Sequence, residues 1–523
     1  HTGARVTGES FPEALVGRES CEGKPFVLRD GVLRTARIAA YEETVEHELR
    51  ARLSPRPRTE AAEAALERLF PIEEGKLAEI EPRRAAETVL DGGISFIVGG
   101  PGRGKTYTLK LLLAVLFEEA EALGRPLPRV MLAAPTGKAA ARMREAIGEK
   151  LDRVNTSETI KAALRALEAK TLHRLLRITP DRALERRKPA PRPVEADVVV
   201  VDEASMIDLP LFSRLLSQVP REARLVLLGD PDQLASVGVG SVLGDIVASD
   251  PFRDEGVPGL ASRIARLTVS HRFGASSGIG RLAAAIVDED PDAVETILRS
   301  DAADLHFYEG ERARWAALRE AVVAGFTGVR AALDEGTGPE HLARALEAFD
   351  AHRVLALTYD GPFGVDGLNA RAAAWLAEAG LVRWHDEGEC SIHPVLVTEN
   401  DPETGLLNGD VGLVITLEGR RVAVFPDLDA GVRVHPAALL PAHVTAFAMT
   451  VHKAQGSQFD HVSLVFPEHE SRLGTRELFY TGVTRAKTRL SVHGDIALLR
   501  SATARRERRV SGLRERLHPR RDP

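Results

Sequence analysis

Four short apolar runs in the first half of this chain each break off into a polar motif, and that pattern restricts the fold more than any other feature. Ser95–Val98 runs into Gly99-Gly-Pro-Gly-Arg-Gly-Lys-Thr106, Val130–Ala133 into Pro135-Thr136, Val198–Val201 into Asp202-Glu203, and Leu225–Leu228 into Gly229-Asp230. Helical stretches such as Tyr107–Leu123 and Leu209–Leu216 lie between them. Strand and helix in alternation predict an α/β fold, a parallel sheet with helices on both faces. Sheets of that kind bind ligands at the carboxyl ends of their strands, where every one of these motifs falls.

A second alternating region begins near Leu267, with strands expected at Val354–Leu357, His461–Phe466 and Leu490–His493. Inside it, Cys390–Ala442 has Val395–Val397, the turn signal Asn408-Gly409, Val411–Ile415 and Arg421–Val424, all short and without helices, which predicts a small inserted β-barrel. Thr179–Pro193 is rich in Pro and Arg and reads as an exposed hairpin or loop. Residues 1 to about 78 carry no motif; short apolar runs such as Pro25–Leu28 and a helical pattern over Ala61–Phe70 suggest a small interaction domain or cap. At 523 residues the chain calls for roughly three domains.

Composition narrows the classes further. The apolar fraction of 44% and charged fraction of 28% are ordinary for a soluble protein, and no run of about 18 apolar residues predicts a membrane span. The chain opens at His1 without a basic-then-apolar leader. Cys21 and Cys390 are its only cysteines, too few for a disulfide framework or a four-cysteine cluster, so a reducing, cytoplasmic setting is expected. A formal charge of −7 argues against coating nucleic acid by bulk charge, but not against a groove lined locally with Lys and Arg. Nine arginines between Arg500 and Arg521 read as a solvated final helix before they read as a nucleic-acid tail.

The motifs carry the chemistry. Gly99–Thr106 fits G-x-x-x-x-G-K-[ST] between a strand and a helix, the context of a phosphate-binding loop. Its glycines let backbone N–H groups reach phosphates, Lys105 compensates β/γ charge, and the Thr106 hydroxyl is a Mg²⁺ ligand. Gly137-Lys138 lacks the earlier glycine and the Ser/Thr and is no second nucleotide site. Two carboxylates at the end of four valines are costly unless they meet a cation, so Asp202 is expected at Mg²⁺ and Glu203 at the attacking water. Gln233 in Gly229-Asp-Pro-Asp-Gln233 suits a γ-phosphate sensor. Arg272 in Ser270-His-Arg-Phe273 and Arg485 in Tyr480-Thr-Gly-Val-Thr-Arg485 are candidate arginine fingers. Thr136, His173, Thr450, His452 and Lys453 can hydrogen-bond phosphates along a single strand without reading bases; for His173 and His452 a histidine packed beneath its motif is an equal alternative.

Together these residues resemble superfamily 1 helicases, and more narrowly the RecD branch. The likeness is carried by Leu132-Ala-Ala-Pro-Thr-Gly-Lys-Ala-Ala-Ala141, Thr171-Leu-His-Arg-Leu-Leu176, Val200-Val-Asp-Glu-Ala-Ser-Met-Ile-Asp-Leu-Pro210, Asp232-Gln-Leu-Ala-Ser-Val237, Phe273-Gly-Ala-Ser-Ser-Gly-Ile-Gly280 and Gly361-Pro-Phe-Gly-Val-Asp-Gly-Leu-Asn369. It implies two RecA-like domains, expected over 79–268 and 269–523, a strand-separating pin at 179–197, an SH3-like insert at 390–442 and a partner-docking segment over 1–78. It further implies ATP held by Gly99, Gly100, Pro101, Gly102, Arg103, Gly104, Lys105, Thr106 and Tyr107, and a 5′-to-3′ DNA helicase acting with RecB and RecC homologues at duplex ends. The alternatives are a standalone RecD-type helicase and an ATP-binding regulatory subunit without motor activity. Two departures stand out: Glu81-Pro-Arg-Arg-Ala85 lies where the family has an adenine-reading glutamine, and Arg103 replaces a threonine of the loop.

Overall fold

A computed structural model describes residues 4–5, 16–18, 23–29, 32–72, 76–178, 192–247, 259–274, 276–384, 390–427, 431–507, 509 and 511–517. The chain divides into two compact units, His1–His271 with Arg508–Pro523, and Arg272–Glu507. The expected pin falls largely on 179–191, outside the described residues.

Unit 1 begins with a small sheet in the order β1-β4-β3-β2, made of β1 (Ala4–Arg5), β2 (Val16–Arg18), β3 (Phe26–Arg29) and β4 (Val32–Thr35). Thr35 then caps the helix Ala36–Ala51, its hydroxyl accepting from Ile38 N. The main sheet is six-stranded, in the order β10-β5-β9-β8-β6-β7, from β5 (Ile94–Val98), β6 (Val130–Ala134), β7 (Ala169–Thr171), β8 (Val198–Val201), β9 (Arg224–Gly229) and β10 (Ile264–Arg266), and every pairing in it is parallel. Its central strands feed two cores in strict alternation. Phe96, Val199, Val201, Leu225 and Leu227 face one, while Ile97, Val198, Val200, Val226 and Leu228 face the other. Burial on both faces is why these strands read as unbroken apolar runs in the sequence.

The segment before residue 78 packs into the same unit as the main sheet. The helix Leu77–Leu90 runs across the boundary expected there. Val45 and Leu49 of the first helix belong to the core under β5, β8 and β9, and Leu66, Leu69 and Phe70 join the core on the other face. Arg52 closes the join: its guanidinium donates to the carbonyls of Leu216, Val219 and Pro220, the free carboxyl end of the helix Leu209–Gln218. The far end of the chain returns as well. Leu513 and Leu517 are fully buried in the first core, and Arg516 pairs with Glu42, so 508–523 clusters with unit 1 rather than with the expected second domain.

Unit 2 holds β11 (Leu305–Tyr308) and β12 (His352–Ala356). It then holds the run β13 (Ile392–Val397), β14 (Val411–Leu417), β15 (Arg420–Asp427), β16 (Gly431–Pro436) and β17 (His443–Thr445), and finally β18 (Ala448–Thr450), β19 (Phe459–Val465) and β20 (Ala486–His493). A second all-parallel sheet has the order β11-β20-β19-β12-β18. The insert is an antiparallel sheet, β16-β15-β14-β13-β17, turning at Gly409 with φ +99°. One of its faces has a core of its own, Val395, Val397, Val414, Ala423 and Phe425, and the other packs Ile392, Leu413, Ile415 and Val424 into the unit 2 core. β17 ends at Thr445, past the expected limit of 442, because it pairs back onto β13. No helix among the described residues is long and apolar enough to cross a membrane.

Candidate functional site

In unit 1 the site forms at the carboxyl edge of the main sheet. β9 lies between β5 and β8, so the phosphate loop after β5 and the acidic pair after β8 flank the Gly229-Asp230 end of β9. Gly102 (φ +76°) and Gly104 (φ +81°) take left-handed backbone that a side chain resists, and Gly104 opens the helix Lys105–Ala122. Lys105 Nζ folds over the loop, donating to Gly99 O and to Gly100 O. Thr106 is half-buried beside it, and Tyr107 is 59% exposed on the first helical turn.

Asp202 and Glu203 stand at the end of β8. Asp202 N donates to Ala133 O at 2.9 Å, and Asp202 Oδ1 accepts from Glu203 N at 2.8 Å. Loss of solvent around the strand end, and then the neighbouring Glu203 charge, push the Asp202 carboxyl up to about 6, against the pull of Lys105. An ionised carboxylate beside a second one is a donor set that a hard divalent cation suits, and the cation in turn offsets their repulsion. Glu203 has φ +52°, a left-handed conformation costing about 1 kcal/mol or more in a non-glycine residue. Gln233 is buried, and its Nε2 donates to Asp230 Oδ2 at 3.0 Å, which fixes the amide at the end of β9. Asp230 was not singled out in the sequence, although its spacing from Gln233 within one turn was the available signal.

Thr136 caps the helix Gly137–Gly148, its hydroxyl accepting from Ala139 N, and His173 is exposed on the short helix Leu172–Leu175 rather than packed beneath its motif. Both follow strands of the same sheet edge, β6 and β7.

Unit 2 gathers the remaining residues. Arg485 is 2% exposed at the end of the helix Arg476–Val483, donating from Nε to Thr481 O and from Nη1 to Ser457 O at 3.0 Å. Arg272 Nη2 donates to Gln458 Oε1 at 2.7 Å. The two arginines, far apart in sequence, therefore hold adjacent residues of one segment. That segment follows β18, where buried Thr450 accepts from Lys453 N, Lys453 Nζ reaches Asn408 Oδ1 of the insert's turn, and His452 is half-exposed. Asn369 secures the junction between insert and β18, donating to Thr445 O and accepting from Ala448 N. No feature of the sequence marked Asn369, Ser457 or Gln458 for these contacts.

A parallel sheet with one strand between the phosphate loop and the acidic pair, and with Lys105, Thr106, Asp202, Glu203 and Gln233 at its edge, defines a P-loop nucleoside triphosphatase. The family model of the AAA domain matches residues 82–239, and that of the UvrD-like helicase C-terminal domain matches 445–492. The RecBCD enzyme subunit RecD of Mycolicibacterium smegmatis is 42% identical over 95% of this chain and 84% of its own length. The corresponding subunit of Haemophilus influenzae is 33% identical over 86% and 73%. The ATP-dependent RecD2 DNA helicase of Deinococcus radiodurans is 32% identical over 80% of this chain but 50% of its own. The crystal structure of Pif1 helicase from Candida albicans gives a TM-score of 0.41 at 15% identity, over 83% of this chain and 97% of that one. The chain belongs to the RecD family of the RecBCD enzyme.

Proposed function

We propose that this chain is an ATP-dependent DNA helicase that moves 5′ to 3′ along a single strand, as the alpha subunit of a cytoplasmic RecBCD-type complex with RecB and RecC homologues processing double-strand breaks. The observation that carries the reading is the gathering of Lys105, Thr106, Asp202, Glu203 and Gln233 at one sheet edge, in a chain 42% identical to a RecD subunit over most of its length.

In this reading Gly99 to Tyr107 hold the triphosphate, the loop's backbone N–H groups and Lys105 meeting the β and γ oxygens. Thr106 and Asp202 would hold Mg²⁺, which when bound supplies positive charge against the phosphate oxygens. Glu203, aimed by its left-handed backbone, orients water and takes its proton. Gln233, fixed by Asp230, reports on the γ-phosphate. Arg272 and Arg485 supply positive charge as phosphoryl transfer proceeds. Thr136 and His173 of unit 1, and Thr450, His452 and Lys453 of unit 2, contact the backbone of the DNA strand. Four described arginines of the Arg-rich end are instead engaged by acidic side chains. Arg500 pairs with Asp292 and Glu295, Arg505 with Glu470, Arg506 with Glu289 and Arg516 with Glu42 and Glu43.

The test is unwinding of tailed duplexes by the chain alone and with RecB and RecC homologues. Activity raised by the homologues supports a subunit. A fully processive chain indifferent to both moves the assignment to the standalone helicases.

A further inference from the structure

One carboxylate near the phosphate loop has no part in the chemistry above. Glu81 lies on the helix Leu77–Leu90, and both its oxygens turn to the segment by which the chain leaves unit 1. Oε2 accepts from Thr268 N at 2.7 Å and Val269 N at 3.2 Å, and Oε1 accepts from the Thr268 hydroxyl. Bonds of this kind to an ionised carboxylate are roughly twice as strong as neutral ones.

The same segment lies along the phosphate loop. Leu267 N donates to Val98 O at 2.8 Å, and His271 N donates to Gly102 O at 2.9 Å. Arg103, the unusual residue of the loop, donates to Leu267 O at 3.3 Å. A Cβ at Gly99 would stand 2.5 Å from Leu267 O, and one at Gly104 would stand 3.4 Å from the His271 ring. Residues 267–271 thus touch the loop at its first glycine and at its last, and the next residue, Arg272, is the first of unit 2.

We propose that Glu81 is a positioning residue that clips this exit segment beside the phosphate loop, so that a change at the loop reaches Arg272 instead of being lost in a slack connection. His271 contacts both Gly102 and Gly104, so any shift of these glycines as phosphate is gripped or released would carry His271 with it. Thr268 and Val269, held by Glu81, are the fixed point against which that displacement is transmitted. The inference rests on the motor reading above.

The test measures base pairs unwound per ATP hydrolysed on a 5′-tailed duplex, together with KM for ATP. It compares the full chain with Glu81→Ala, Thr268→Val and the same-helix control Glu79→Ala. Glu81→Ala is expected to leave KM within about twofold and to lower the coupling ratio about fivefold or more. Thr268→Val, which removes only the hydroxyl bond, is expected to lower it by less, and Glu79→Ala to leave it unchanged. Partial misfolding reduces both rates together and does not move the ratio. A wild-type chain that cannot unwind with or without RecB and RecC homologues defeats the motor reading. A wild-type chain that unwinds while Glu81→Ala and Thr268→Val keep its ratio defeats the clip. A Glu81→Ala variant that loses ATP affinity at an unchanged ratio makes Glu81 a nucleotide ligand and defeats it equally.

Discussion

At the scale of single residues, the phosphate loop makes the sharpest demand. Lys105 is half-buried and, among the described residues, bonded to the loop's own carbonyls, so Lys105→Ala is expected to keep the fold and to lower DNA-stimulated phosphate release about a hundredfold or more. Asp202 must be ionised to hold a cation, and its carboxyl titrates at about 6. Mg²⁺-dependent nucleotide binding should therefore rise with pH through that value. Glu203→Gln removes a like charge and should move the rise to lower pH; a limb that stays in place rules out Glu203 as a contributor to the shift. Arg485 needs a gentler probe. Its loss to alanine strips two buried carbonyls of their donor, at about 1–3 kcal/mol each. Arg485→Lys keeps the charge and loses the fork, and is expected to lower turnover while nucleotide affinity holds within a few-fold; loss of affinity at a normal rate argues for a ground-state ligand. The loop was legible in the sequence because its glycines, lysine and threonine are required at fixed spacing between a strand and a helix. The Glu81 contacts were not, because their partners at Thr268 and Val269 become neighbours only after the sheet has formed.

Among the elements, the long central strands were legible and the edges were not. Ala169–Thr171 and Ile264–Arg266 are three-residue edge strands, packed from one side and without the apolar run that marks β5, β8 and β9. The parallel sheet of unit 2 carries an unexpected polar face. His352 bonds Ser463, His461 bonds Ser491, and His493, buried with its ring stacked on Tyr308, completes the ladder. Burial first, then the surrounding Arg353, Arg489, Arg314 and His306, hold His352 well below its ordinary value, His461 down at about 4 and His493 down at about 3. Asp304 and Asp350 lie nearby, paired with Ser277 and Arg353. Since the unfolded histidines protonate near 6.5 and the folded ones resist, stability is full above pH 6.5 and falls as pH drops toward 4. His461 alone accounts for about 2 kcal/mol at pH 5. Urea midpoints at pH 7.5 and 5 check this, and His461→Gln should flatten the difference.

For the whole molecule, the two alternating regions and the insert were readable as elements, whereas the way the chain ends fold back was not. Local apolar patterns cannot say that Val45 and Leu513 share a core. Truncation after Glu507 is therefore expected to destabilise unit 1 by roughly 3–6 kcal/mol from Leu513 and Leu517 alone, read by thermal melting; an unchanged melt contradicts the packing. The central claim, a nucleotide-driven motor with a direction, is tested most directly by unwinding of duplexes with a 5′ or a 3′ single-stranded tail, with RecB and RecC homologues present, by the wild-type chain and by Lys105→Ala. The account predicts ATP-dependent opening of the 5′-tailed duplex that Lys105→Ala abolishes. Opening that persists in Lys105→Ala, or a wild-type chain that opens only the 3′-tailed duplex, would contradict it.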